Sequence, residues 1–142
     1  MIRARCQCIG FLIVVTGCGQ QPVVVPVDGR VTIDGQVTPD VEIQFHRTGP
    51  GPPHIAIPTT SGTDGRFTTV NANSPGLLAG EYVVVFSKWE MPDGNTVPPD
   101  AKPGEVGAQQ LLPPRYQSVE QRMHAITVGP QQTFFEFTLE SK

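Results

Sequence analysis

Proline and glycine govern what this chain can fold into. The sequence holds 15 of each among 142 residues, roughly one position in five. Glycine loses the most backbone entropy in a helix, while proline lacks an amide donor and clashes with the carbonyl four residues back. At this density a long helix is interrupted before it can propagate. The spacing has no Gly-X-Y period, so the pattern is one of short strands joined by many turns. A hydrophobic fraction of 38% fills one core, and the length bounds the chain to a single small domain. Helical bundles and large α/β enzymes are excluded. A nucleic-acid partner is not expected either, because the formal charge is −3 and the basic residues are scattered, whereas phosphate binding needs clustered lysine and arginine.

Hydrophobic alternation places the strands. Residues 23–27 are apolar but broken by Pro26, which suits an edge. Residues 29–33 alternate and stop at Asp34-Gly35, a dipeptide suited to the paired positive φ angles of a tight hairpin turn. Val41, Ile43 and Phe45 share one face and Glu42 and Gln44 the other, predicting a half-buried strand. Asp64-Gly65 is expected to turn the chain in the same way, into a strand over residues 67–70. Residues 79–86, β-branched and aromatic with few polar positions, form the expected central strand. Residues 125–128, a turn at Gly129-Pro130 and residues 133–139 follow, with Phe135, Phe137 and Leu139 on one face and Phe134, Glu136 and Thr138 on the other. Seven or eight strands at this spacing predict an all-β, Ig-like sandwich.

Two stretches carry no such pattern. Residues 48–58 contain Gly-Pro-Gly-Pro-Pro and form a stiff excursion. Residues 88–114 hold Pro92, Pro98, Pro99, Pro103, Pro113 and Pro114 without periodicity. So long an irregular segment is expected to be mobile or functional, with little of it able to pair with a sheet. Trp89 at its start and Tyr116 just past its end are candidate partner-binding residues, an aromatic platform for a protein surface or a sugar ring. The competing reading has Trp89 capping the sandwich end and Tyr116 covering the base of the loop.

Side-chain chemistry is sparse. Asp28, Asp34, Asp64 and Asp93 each precede glycine, which turn formation explains without an acid–base role. No Asp-x-Asp-x-Asp spacing offers Ca²⁺ a local ligand set. His46, His54 and His124 are far apart, with no His-Glu-x-x-His, and Gly-x-Ser-x-Gly is absent. The Gly49 and Gly51 stretch is broken by prolines and precedes no helix, so it makes no phosphate cradle. No catalytic residue, metal or cofactor is expected.

The first residues have a different character. Arg3 and Arg5 precede an apolar run over residues 9–15, the order of an export signal. That run is about 10 Å long as a helix, far short of the roughly 30 Å hydrocarbon core of a bilayer. Val15-Thr16-Gly17-Cys18, an aliphatic residue and two small residues before cysteine, resembles the lipobox of bacterial lipoproteins. The resemblance implies cleavage before Cys18, a diacylglyceryl group on its thiol and an acylated new amine. Residues 1–17 are then the signal, 18–26 the lipidated cysteine and tether, and 27–142 the domain. Cys6 and Cys8 leave with the signal, so the exported domain has no disulfide. Acyl chains contribute about 0.8 kcal/mol per buried CH₂, so the lipid on Cys18 holds the protein on a membrane without basic residues. Gly19 is not the Asp that retains some lipoproteins at the inner membrane, and an outer-membrane location in the cell envelope is expected.

Three further segments carry a second resemblance: residues 27–35 with 41–45 after them, then Thr63-Asp64-Gly65-Arg66-Phe67, then Leu78-Ala79-Gly80-Glu81-Tyr82-Val83-Val84. In this order they resemble the carboxypeptidase-regulatory-like domain, a transthyretin-like (prealbumin-like) β-sandwich. The later Leu112-Pro113-Pro114-Arg115-Tyr116 is similar to small bacterial lipoproteins built from that one domain. The resemblance implies an accessory role and no catalytic residues: a non-enzymatic structural or protein-interaction module. The alternative is a carbohydrate-binding module using Trp89 and Tyr116, which requires both rings to be exposed and coplanar. A transthyretin-related hydrolase acting on hydroxyisourate ends in Tyr-Arg-Gly-Ser, unlike Leu139-Glu140-Ser141-Lys142 here, and that activity is not expected.

Overall fold

The computed structural model describes residue 17, residues 22–50 and residues 58–142. Within these residues the chain is all-β, with short strands, one turn of 3-10 helix and no α-helix, as the proline and glycine content requires. In chain order the strands are β1 (Val24–Val25), β2 (Asp28–Ile33), β3 (Gln36–Val37), β4 (Glu42–Arg47), β5 (Thr59–Thr60), β6 (Arg66–Thr68) and β7 (Val70–Asn71). There follow β8 (Ser74–Pro75), β9 (Leu77–Leu78), β10 (Gly80–Ser87), β11 (Trp89–Glu90), β12 (Gln109–Gln110), β13 (Ala125–Val128) and β14 (Phe134–Leu139).

Two four-stranded sheets dominate. One runs β13-β10-β4-β5, antiparallel throughout, with β10 paired along both edges as a central strand. The other is built on β2, which pairs with β14 on one side and with β6 and β3 in succession on the other. The β2–β14 pairing is parallel, from Phe134 opposite Asp28 to Leu139 opposite Ile33. The edge ribbon β1–β9 uses the Val24 and Val25 that precede Pro26, as expected of a proline-broken strand.

The inner faces of both sheets meet in one core. Val31, Ile33, Phe67, Phe135, Phe137 and Leu139 come from the β2 sheet; Ile43, Phe45, Tyr82, Val84, Phe86 and Val128 come from the β10 sheet. Aromatic rings bridge the two layers, Phe45 to Phe67 at 6.1 Å and Phe86 to Phe137 at 5.0 Å between centroids. The alternation read from the sequence holds in β4 and β14: Val41, Ile43 and Phe45 are buried, as are Phe135, Phe137 and Leu139, while Phe134, Glu136 and Thr138 are exposed. Tyr82 lies wholly inside the core and its hydroxyl donates to the Leu78 carbonyl at 2.8 Å. That bond closes the corner at which the chain enters β10, and Gly80 at φ +150° permits the bend.

The turns hold with two corrections. Asp34 (φ 52°) and Gly35 (φ 82°) form the expected positive-φ pair between β2 and β3. At the second turn only Gly65 is left-handed, with φ 74°; Asp64 instead accepts the Arg66 amide on its side chain at 3.0 Å, an Asx turn. Asp28 is no turn residue at all and lies exposed within β2, because the following Gly29 is needed for packing. A Cβ on Gly29 would collide with the Phe135 carbonyl oxygen and with the Phe67 ring.

Residues 88–114 follow the expectation that little of this segment pairs with a sheet. They pair with neither large sheet, but β11 and β12 fold back on each other, with Trp89 opposite Gln110. The Lys88 amide donates to Gln110 Oε1 at 2.7 Å and the Leu111 amide to the Lys88 carbonyl at 2.8 Å, fixing the base of the ribbon. The prolines fall outside the paired residues, so the missing donors interrupt no ladder.

Candidate functional site

The two aromatic residues at the mouth of this ribbon have opposite fates. Trp89 is 38% exposed on β11. Tyr116 is only 5% exposed, which corrects its assignment as a partner-binding residue. It closes the single turn of 3-10 helix at Pro114–Tyr116, where Pro113 and Pro114 pre-set the backbone. Its hydroxyl accepts the Glu140 amide at 3.1 Å, and its ring stacks on His124 at 5.9 Å with 18° between planes. The Arg115 guanidinium lies 5.0 Å from the Tyr116 ring centroid and donates to the Lys142 carbonyl oxygen at 2.7 Å. Tyr116 therefore pins the end of the long loop to β14, and a coplanar exposed pair with Trp89 does not form.

His124, isolated in the sequence, is boxed by aromatic rings: Phe86 at 5.3 Å and Phe137 at 5.5 Å edge-on, with Tyr116 stacked. Its Nε2 is buried without a hydrogen-bond partner, and burial holds its pKa below the ordinary 6.5. His46 on β4 likewise has a buried, unpartnered Nε2 and a pKa lowered by burial. Nothing in linear spacing reveals either environment. Among the described residues no three His, Cys, Asp or Glu side chains gather as a metal-binding group. Asp34 is held below its usual carboxylate range first by the Ser141 hydroxyl and then by the Ser141 amide at 3.0 Å, bonds that tie the chain end to the β2–β3 turn.

Cys18 and His54 lie outside the described residues. No helix among the described residues is long and apolar enough to cross a membrane.

An open cleft of about 530 Å³, which no motif in the sequence marks, lies where β2 and β6 of one sheet meet β5 of the other. Asp28, Thr59, Thr60, Arg66, Thr68 and Phe134 line it. Phe134 is 49% exposed, the only phenylalanine among the exposed large hydrophobics of the described residues. Its outward direction was legible in the alternation of β14; its polar neighbours come from β2, β5 and β6 and have no linear signature.

Comparison of the chain with protein-family models, with curated proteins and with solved structures finds no match.

Proposed function

We propose that this chain is a lipid-anchored, non-enzymatic interaction module of the bacterial cell envelope, with a transthyretin-like sandwich of the carboxypeptidase-regulatory type as its one domain. The observation that carries the reading is Val15-Thr16-Gly17-Cys18, set directly after a basic and then apolar signal and only a few residues before the first strand at Val24. Lipid on Cys18 supplies the membrane affinity, and the tether is shorter than residues 18–26, because Val24 and Val25 pair with β9 and Val25 is buried in the core. The fold reading draws support from two sheets around one core and from the Tyr82 hydroxyl bond to Leu78, a corner characteristic of Greek-key sandwiches. In this reading the domain presents surfaces to an envelope protein or glycan and performs no chemistry.

Fractionation tests the anchor. The native chain should sediment with outer membranes and take up radiolabelled palmitate, and Cys18→Ser should abolish both. A Cys18→Ser protein that stays with membranes through a high-salt wash would overturn the proposal, because no basic or apolar segment of the folded domain replaces acyl burial.

A further inference from the structure

The register of the β2 sheet sets its outward side chains in cross-strand rows: Phe134, Asp28 and Thr68 in one, and Glu136, Arg30 and Arg66 in the next. The first row together with Arg66 borders the cleft on one side, Thr59 and Thr60 of β5 on the other, with Gly29, Gly62 and Phe67 also in its lining. Its volume of about 530 Å³ lies within the range of about 300–1,000 Å³ common to small-ligand sites.

Two features set this face apart from an ordinary solvated sheet. Arg66 stands directly opposite Arg30 in an antiparallel pair, a like-charge juxtaposition that weakens strand pairing. Compensation within the sheet is loose: Asp64 reaches Arg66 only at 3.9 Å with both side chains 62% exposed, a pair that contributes little, and Arg30, with Glu136 beside it in the row, still has a buried Nε with no hydrogen-bond partner. A local rule broken in this way is what a binding residue looks like when its charge serves something other than the fold. Beside it, Phe134 turns a large ring to solvent, with the exposed Asp28 carboxylate next to it in the row.

We propose that this cleft binds a neutral saccharide chain. Phe134 offers its ring to the C–H face of a sugar, Arg66 donates to ring hydroxyls through its fork of N–H groups, and Asp28 and Thr60 accept from them. Arg66 and Asp28 cancel in charge, which favours an uncharged, hydroxyl-rich ligand over an anion or a cation. This deepens the interaction-module reading and rests on it for where the saccharide is met; the binding chemistry itself belongs to the cleft. It also relocates the glycan contact from the Trp89 and Tyr116 pair, which the burial of Tyr116 rules out as a platform.

The test uses the full chain in a detergent without sugar headgroups, titrated with chitohexaose, maltohexaose and cellohexaose and followed by amide chemical shifts. At least one should bind with a Kd on the order of 1 mM or tighter, shifting the amides of Thr60, Arg66, Thr68 and Phe134. Phe134→Ala and Arg66→Gln should each weaken binding by about tenfold or more, and Trp89→Ala should leave it unchanged. Arg66→Gln should also keep or raise the melting temperature, since it removes the like-charge pair, so lost binding cannot be put down to unfolding. Absence of shifts with all three sugars, shifts centred on Trp89, or binding indifferent to Phe134→Ala and Arg66→Gln would each overturn the assignment. Membrane fractionation of Cys18→Ser is read separately, so failure of the saccharide site and failure of the anchor reading are distinguishable.

Discussion

Replacing Phe137 by alanine tests the packing of the two sheets most directly. Phe137 is 4% exposed and is ringed by Phe67 at 6.0 Å, Phe86 at 5.0 Å, His124 at 5.5 Å and Phe135 at 6.3 Å. Phe→Ala in a core costs about 3 to 5 kcal/mol through lost transfer energy and the cavity left behind. Aromatic pairs add about 0.5 to 1.5 kcal/mol each beyond area, though not additively. Four neighbours from β6, β10, β14 and the residue before β13 cannot all collapse into one void, so a loss of about 4 to 5 kcal/mol is expected. For a domain of this size that lowers the melting temperature by about 15 °C. Glu136→Ala, one residue away and exposed, should cost less than about 0.5 kcal/mol. Equilibrium urea denaturation followed by far-ultraviolet circular dichroism measures both. Equal losses for the two variants, or a loss below about 1 kcal/mol for Phe137→Ala, would refute the register and the layered core together.

Gly29→Ala should destabilise by about 1 to 3 kcal/mol, because its Cβ would meet the Phe135 carbonyl and the Phe67 ring; a neutral result in the same urea titration would refute the close approach of β14 and Phe67 to Gly29. Acid should weaken the fold through His124 and His46, whose folded pKa values are both lowered by burial. The unfolded chain then holds more protons, so stability is complete above the ordinary value of 6.5 and falls as pH drops through it towards the lowered folded values. His124→Phe should shrink that loss and leave the part due to His46; an unchanged pH profile would count against the aromatic box. Trp89→Ala should change stability by less than about 1 kcal/mol, and the Trp89 emission should be open to acrylamide quenching; protection from quencher would mean the indole is buried.

Much of this fold is local in origin and was legible in the chain. The period-2 pattern at residues 41–45 and 134–139 fixes which side chains enter the core, since a strand has only two faces. Asp34-Gly35 fixes its turn because few dipeptides accept two positive φ angles. Proline and glycine exclude long helices by removing donors and raising backbone entropy, a property of the residues wherever they sit. The lipobox-like order Val15-Thr16-Gly17-Cys18, on which the proposed anchor rests, is likewise a linear pattern. What tertiary structure decided is whatever depends on residues distant in sequence. Parallel pairing of β14 with β2 joins chain segments about a hundred positions apart, and no local propensity encodes that choice. The sequence left Tyr116 open between a partner-binding ring and a cover for the loop base; it is buried because the chain leaving β14 brings the Glu140 amide to its hydroxyl and the chain entering β13 sets His124 against its ring. The box around His124, the opposition of Arg30 and Arg66, and the gathering of Asp28, Thr60 and Arg66 beside Phe134 arise the same way, from register and crossing of strands, which alternation alone leaves open because it fixes a side chain's face and not its neighbours.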